Sequence, residues 1–99
     1  MEYIQKTIWA TESDVKPRDI VVVVAEINGS RVSVSEETST SSQQVSCSTD
    51  KLKEVLNVYT DGELMNEMEK RFGNECGYYV ARQLMEENDI EFYWWGGSN

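Results

Sequence analysis

Apolar residues fall in strand-like runs through the first half of the chain and at helical spacing through most of the second. Residues 2–9 (EYIQKTIW) mix aromatic, β-branched and polar side chains as a half-buried strand does. Thr11 to Asp19 is polar and reads as a loop, with Pro17 fixing its end. Ile20 to Ile27 is β-branched and nearly uninterrupted, which predicts a central strand covered on both faces. Asn28-Gly29 follows and predicts a type I′ turn, because both of its central positions take positive φ. In the register set by that two-residue loop Ile27 faces Ser30, Glu26 faces Arg31, Ala25 faces Val32 and Val23 faces Val34. One face of the third strand is then apolar and the other carries Arg31, Ser33 and Ser35. Glu26 and Arg31 become a cross-strand ion pair worth under about 1 kcal/mol.

Thr38 to Ser48 (TSTSSQQVSCS) is rich in hydroxyl and amide side chains and reads as a solvated connection; the alternative is a short fourth strand lined by Val45 and Cys47. Three helices come next. Leu52, Val55, Leu56 and Tyr59 repeat at i, i+3, i+4, i+7, with Thr49 or Asp50 as N-cap. Thr60-Asp61-Gly62-Glu63 is a capping box that opens a second helix, whose buried stripe is Leu64, Met65, Met68 and Phe72. Gly73 is placed to end it in a left-handed conformation. Asn74 caps a third helix with Cys76, Val80 and Leu84 on its core face, and Asn88-Asp89 ends it. Residues 90–95 (IEFYWW) read as a final strand. The order predicts one α+β domain spanning residues 1–99: an antiparallel sheet of about four strands, the hairpin of residues 20–37 at its centre, with three helices on one face.

Composition narrows the function. A chain of 99 residues fits one core without metal or disulfide staples. The N-terminal stretch lacks the pattern of a secretory signal, and the longest apolar run, Ile20 to Ala25, is too short to cross a bilayer. The expected setting is therefore the cytoplasm of a bacterial-type cell or of an infected host cell, where Cys47 and Cys76 stay reduced. Asn28-Gly29-Ser30 matches a glycosylation sequon but reads better as the turn. The net charge of −9 opposes direct contact with nucleic acid or an anionic membrane, both of which need clustered Lys and Arg. Residues 61–99 hold nine acids against three bases, so the negative potential belongs mainly to the C-terminal part.

Candidate chemistry is sparse. The chain has no histidine, the usual base beside a Ser or Cys nucleophile and the commonest metal ligand, and it lacks both glycine-rich phosphate-binding patterns. No catalytic residue, metal ligand or cofactor is expected. Glu63 and Glu67, one helical turn apart, could pair as acid and base, but Glu67 is followed by Lys70 and Arg71 as on an ordinary solvated face. Glu86, Glu87, Asp89 and Glu91 lack the spacing of a calcium loop. The segment Glu75-Cys76-Gly77-Tyr78-Tyr79-Val80-Ala81-Arg82 resembles the nucleophile helix of Ulp-type SUMO proteases, in which an acidic residue, Cys, Gly and an aromatic open a helix. That resemblance implies a Cys76-dependent hydrolase, whose nucleophile the free amides of the helix N-terminus would hold as thiolate. The residues themselves favour Cys76 as a small core side chain, with Gly77 admitting close packing.

Binding is the better-supported class of function. Glu86, Glu87, Asp89 and Glu91 sit at the C-terminal end of the third helix, where the macrodipole favours cations and each exposed acid costs about 0.3–1 kcal/mol. These residues serve either solubility or contact with a partner's Lys and Arg. Tyr78, Arg82 and Met85 form a second stripe on that helix, packed or exposed as anchors. In the last strand Phe92 and Trp94 face one way and Tyr93 and Trp95 the other, so both pairs do not easily enter one core. Glu63 and Glu67 add to the acidic surface. The expected partner is a protein with a basic surface, blocked by a stoichiometric inhibitor of anti-defence or immunity type that imitates nucleic acid. Small phage-encoded anti-defence proteins, DNA mimics and anti-CRISPR proteins among them, are similar in these general traits. The alternative is a homo-oligomer or assembly subunit that joins through a sheet edge and the C-terminal aromatics.

Overall fold

The computed structural model describes residues 3–12, 16 and 19–98. Five strands, β1 (Tyr3–Ala10), β2 (Val21–Asn28), β3 (Arg31–Thr38), β4 (Ser41–Ser48) and β5 (Phe92–Ser98), form one antiparallel sheet in the order β1-β2-β3-β4-β5. Three helices, α1 (Thr49–Leu56), α2 (Asp61–Phe72) and α3 (Gly77–Glu87), come between β4 and β5. The architecture is α+β, with one strand more than the expected four. Glu2 and Pro17, placed by pattern at a strand start and a loop end, lie outside the described residues.

All three helices cover the same face of the sheet. α2 lies over β1 and β2, α1 against β3 and β4, and α3 across β3, β4 and β5. Between the layers Ile8, Val23, Ala25, Ile27, Val32, Val34, Val45 and Cys47 meet Leu52, Leu64, Met68, Phe72, Tyr78, Ala81 and Met85, all of them buried. Among the described residues no helix covers the opposite face of the sheet, which is why β3 and β4 alternate apolar with Ser and Gln.

Several expectations are corrected. Thr38 to Ser48 is not a solvated connection: β4 pairs on both sides, and its two apolar residues, Val45 and Cys47, are fully buried. Its Ser and Gln residues hid a strand because many of them serve the uncovered face. The hairpin turns at Gly29-Ser30, so Asn28 pairs with Arg31, Ile27 with Val32, Glu26 with Ser33 and Ala25 with Val34. Positive φ occurs at Gly29 and not at Ser30, the pattern of a type II′ turn. Thr49 selects this register, since its N–H and hydroxyl donate to the Ser30 and Gly29 carbonyls at 2.9 and 3.0 Å. The Glu26–Arg31 pair therefore does not form, and Glu26 instead accepts the Tyr3 hydroxyl at 3.0 Å.

In the helical segment, Ser48 rather than Thr49 or Asp50 caps α1, and Tyr59 lies past its end, 81% exposed. The Thr60 capping box is formed on both sides, and the α2 stripe is buried as expected. Gly73, however, has φ −80° and is not left-handed. Glycine is required there because a Cβ would run into the Glu69 carbonyl and come within 2.8 Å of the Ile8 carbonyl. α3 is rotated from the expected orientation: Gly77, Tyr78, Ala81 and Met85 face the core, whereas Cys76 and Val80 are exposed and Leu84 is half-buried. Close approach decides this, since a Cβ on Gly77 would strike the Phe72 carbonyl and lie 2.9 Å from Val23 Cγ1. Asn74 accepts the Cys76 N–H at 2.8 Å but is not the N-cap, a position held by Cys76 without a side-chain cap. The final strand starts at Phe92, two residues later than expected, and continues through Gly96 and Gly97, while Ile90 is buried ahead of it.

Candidate functional site

The junction of α3 with β5 gathers most of the residues that sequence singled out. β5 pairs with β4 alone, so its outer edge ends the sheet. The strand register places Trp94 beside Val45 on the helix-covered face, and Tyr93 and Trp95 beside Ser46 and Gln44 on the uncovered one. All three aromatics remain just over half exposed. Each is nonetheless held in place. The Arg82 guanidinium lies 4.4 Å from the Trp94 ring centroid and that of Arg31 5.1 Å from the Tyr93 centroid. Trp95 Nε1 donates to Gln44 Oε1 at 2.9 Å, and the Tyr93 hydroxyl donates to Glu91 at 2.7 Å. That last bond pushes the Tyr93 phenol above its ordinary pKa, because the neighbouring carboxylate favours the protonated form. Each cation–π contact contributes about 0.5–1 kcal/mol at exposed sites and, with the hydrogen bonds, removes rotamer freedom before any partner arrives.

The acidic residues stand next to this strand. Glu86 and Glu87 occupy the last turn of α3, which carries no basic residue. Asp89 follows with φ 54°, in the left-handed region that glycine or asparagine fills at less cost. Asn88 N–H bonds the Leu84 carbonyl and Ile90 N–H the Met85 carbonyl, closing the helix and turning the chain into β5. Among the described residues three ion pairs occur, Lys6–Glu69, Lys53–Asp61 and Arg71–Glu67, and none uses these four acids. Beside them a groove of about 500 Å³ opens, lined among others by Arg31, Lys51, Glu54, Asp89, Glu91 and Tyr93.

Not every expected residue joins the site. Tyr78 and Met85 are fully buried, so of the second α3 stripe only Arg82 reaches the junction. Glu63 accepts the Tyr59 and Thr60 N–H groups at 3.1 and 3.0 Å, which holds its carboxyl below the usual range, and Glu67 pairs with Arg71. Both stand on α2, away from β5. Tyr79 was not singled out, yet it is half-exposed beside the edge and accepts a hydrogen bond from Gln43 Nε2 at 2.9 Å. Its position one turn before Arg82 was the available signal. The Arg31 contact crosses β4 and left no trace in local sequence.

The two thiols are free and differ in setting. Cys47 is buried, which pushes its thiol up to about 11 against the opposing pull of Arg31. Cys76 is exposed at the start of α3, and its difference in accessibility from Cys47 alone predicts faster alkylation. No three His, Cys, Asp or Glu side chains among the described residues converge to hold a metal ion. No helix among them is long and apolar enough to cross a membrane. Comparison with protein-family models, with curated proteins and with solved structures finds no match to this chain.

Proposed function

We propose that this chain is a non-enzymatic acidic binding protein, a stoichiometric inhibitor of anti-defence or immunity type that occupies the basic surface of a nucleic-acid-handling protein. It acts in the cytoplasm of a bacterial-type or infected cell, without touching nucleic acid or membrane itself. One observation carries this reading: Glu86, Glu87, Asp89 and Glu91 crowd the C-terminal end of α3, against the helix dipole, beside immobilised and half-exposed Tyr93, Trp94 and Trp95. Carboxylates placed where they cost stability offer a partner's Lys and Arg what phosphates would. Aromatics next to them supply the anchors that dominate interface energies.

A pull-down with the immobilised chain tests the reading. The retained protein is expected to bind nucleic acid on its own, to be released as salt is raised, and to be displaced by duplex DNA. Complexes indifferent to salt, or retention of acidic proteins alone, would contradict the charge-mimic reading.

A further inference from the structure

We propose that the outer edge of β5 is a pairing surface for a second copy of this chain, joined strand to strand in antiparallel register about a two-fold axis at Trp95. The inference does not rest on the inhibitor reading, although it draws on the same three aromatics, for which a second copy and a basic partner would compete.

The two edges of the sheet are built differently. β1 carries Lys6 and a register break between Thr7 and Trp9, both of which discourage a further strand from adding. β5 is seven residues, FYWWGGS, with no charge and no proline, and its pairing to β4 runs without a break. An edge that is long, regular, uncharged and aromatic is one that recruits another strand.

Geometry singles out the second copy and the register. A two-fold axis normal to the sheet keeps each side chain on its own face only when a residue pairs with its own equivalent at the centre. Centring on Trp95 pairs the whole strand, Phe92 with Ser98, Tyr93 with Gly97 and Trp94 with Gly96. Tyr93 and Trp94 then lie opposite glycines of the other copy, whose missing side chains leave room for the rings, while the two Trp95 rings meet across the axis. A Cβ on Gly97 would meet nothing within 4 Å, so the space beside it is open. The uncharged strand brings no like charges together. The Glu91 residues of the two copies stand about 27 Å apart along the strands, at about 3.4 Å per residue, well beyond the screening length of roughly 8 Å at physiological salt. Six half-exposed aromatics, each able to bury about 150–250 Å² in full, yield about 500–850 Å². With the paired backbone added, the interface comes near the lower bound of about 1,000 Å² for specific association, which implies a weak dimer.

Sedimentation equilibrium on the Cys76→Ser chain, which excludes disulfide dimers, tests this from about 10 to about 500 μM. The expected result is a shift from 11.4 kDa toward twice that mass. Trp95→Lys, which sets two ammonium groups across the axis, is expected to weaken the dimer at least about 10-fold. Tyr59→Lys, adding the same charge at an exposed loop, leaves it intact. Circular dichroism of the variants confirms that both are folded. Hydrogen exchange should show the outward β5 amides gaining protection with concentration and β1 amides unchanged. A chain that stays monomeric throughout, equal dimerisation of both lysine variants, or protection gained at β1 would overturn the proposal.

Discussion

α2 and the end of α3 are helices of similar length built on opposite electrostatic plans. α2 begins with Asp61 and Glu63, ends with Lys70 and Arg71, closes its capping box, and ties Lys6 and Arg71 to its own carboxylates. Each of these features agrees with the dipole. α3 has no acid in its first turn, no base in its last, no side-chain N-cap, and two glutamates and a left-handed Asp89 where positive charge or glycine would serve better. What holds α3 is burial of Tyr78, Ala81 and Met85. The contrast teaches that the fold can carry an unfavourable surface where packing is sufficient. On the function proposed above, such a surface marks where stability was not the only requirement.

The largest effect expected from this contrast is at the core. Phe72→Ala removes a fully buried ring beneath α2 and is expected to cost about 3–5 kcal/mol in a denaturant titration, whereas Trp95→Ala costs under about 1 kcal/mol. Equal losses would make β5 part of the core and erase the distinction. A smaller effect follows from Thr60→Ala, which opens the capping box and should cost about 1 kcal/mol. The sign for Glu63 follows from its lowered carboxyl: its contribution is present above the unfolded carboxylate range and is lost as pH falls through the folded value. The acid limb of the stability profile should therefore flatten in a Glu63→Gln chain, since the Tyr59 and Thr60 N–H groups that do most of the lowering survive Thr60→Ala.

The buried thiol titrates in the opposite sense. Folding raises Cys47 to about 11 from 9.0, so its contribution is complete below pH 9.0 and is lost as pH rises toward about 11. Thermal unfolding followed across that interval should show the loss, and Cys47→Ala should lack it. The smallest effect belongs to Tyr78, whose buried hydroxyl has no hydrogen-bond partner among the described residues. Tyr78→Phe removes that unpaired group and should leave stability unchanged or raise it by up to about 1 kcal/mol. A clear loss would show that the hydroxyl is satisfied.

Local signals carried much of the fold. The α2 stripe, its capping box and the existence of the β2–β3 hairpin all depend on residues within a few positions of one another; the first two are where pattern placed them, and the hairpin forms with its turn one residue later. The failures arose where distant atoms decide. β4 holds only two apolar residues, and its place became secure only once β5 paired beside it. α3 offered two apolar stripes, and the choice between them lay in how closely Gly77 must approach Phe72 and Val23. The hairpin register was settled by Thr49, some twenty residues away. For the candidate site, the acids and the alternation of Tyr93, Trp94 and Trp95 were legible because helix ends and strands are local. The stacking of Arg82 on Trp94 and of Arg31 on Tyr93 was not, since each arginine reaches its ring across tertiary structure.

The central claim is that the acids ending α3 serve contact rather than stability, and one comparison tests it most directly. The chain carrying Glu86→Gln, Glu87→Gln and Asp89→Asn is unfolded by denaturant beside the unaltered chain, and both are then assayed by pull-down. Relief of the dipole and of the left-handed aspartate should raise stability by about 1–2 kcal/mol, while salt-sensitive capture of the basic protein is lost. A variant that is less stable, or that keeps the same salt-sensitive complex, would contradict the account.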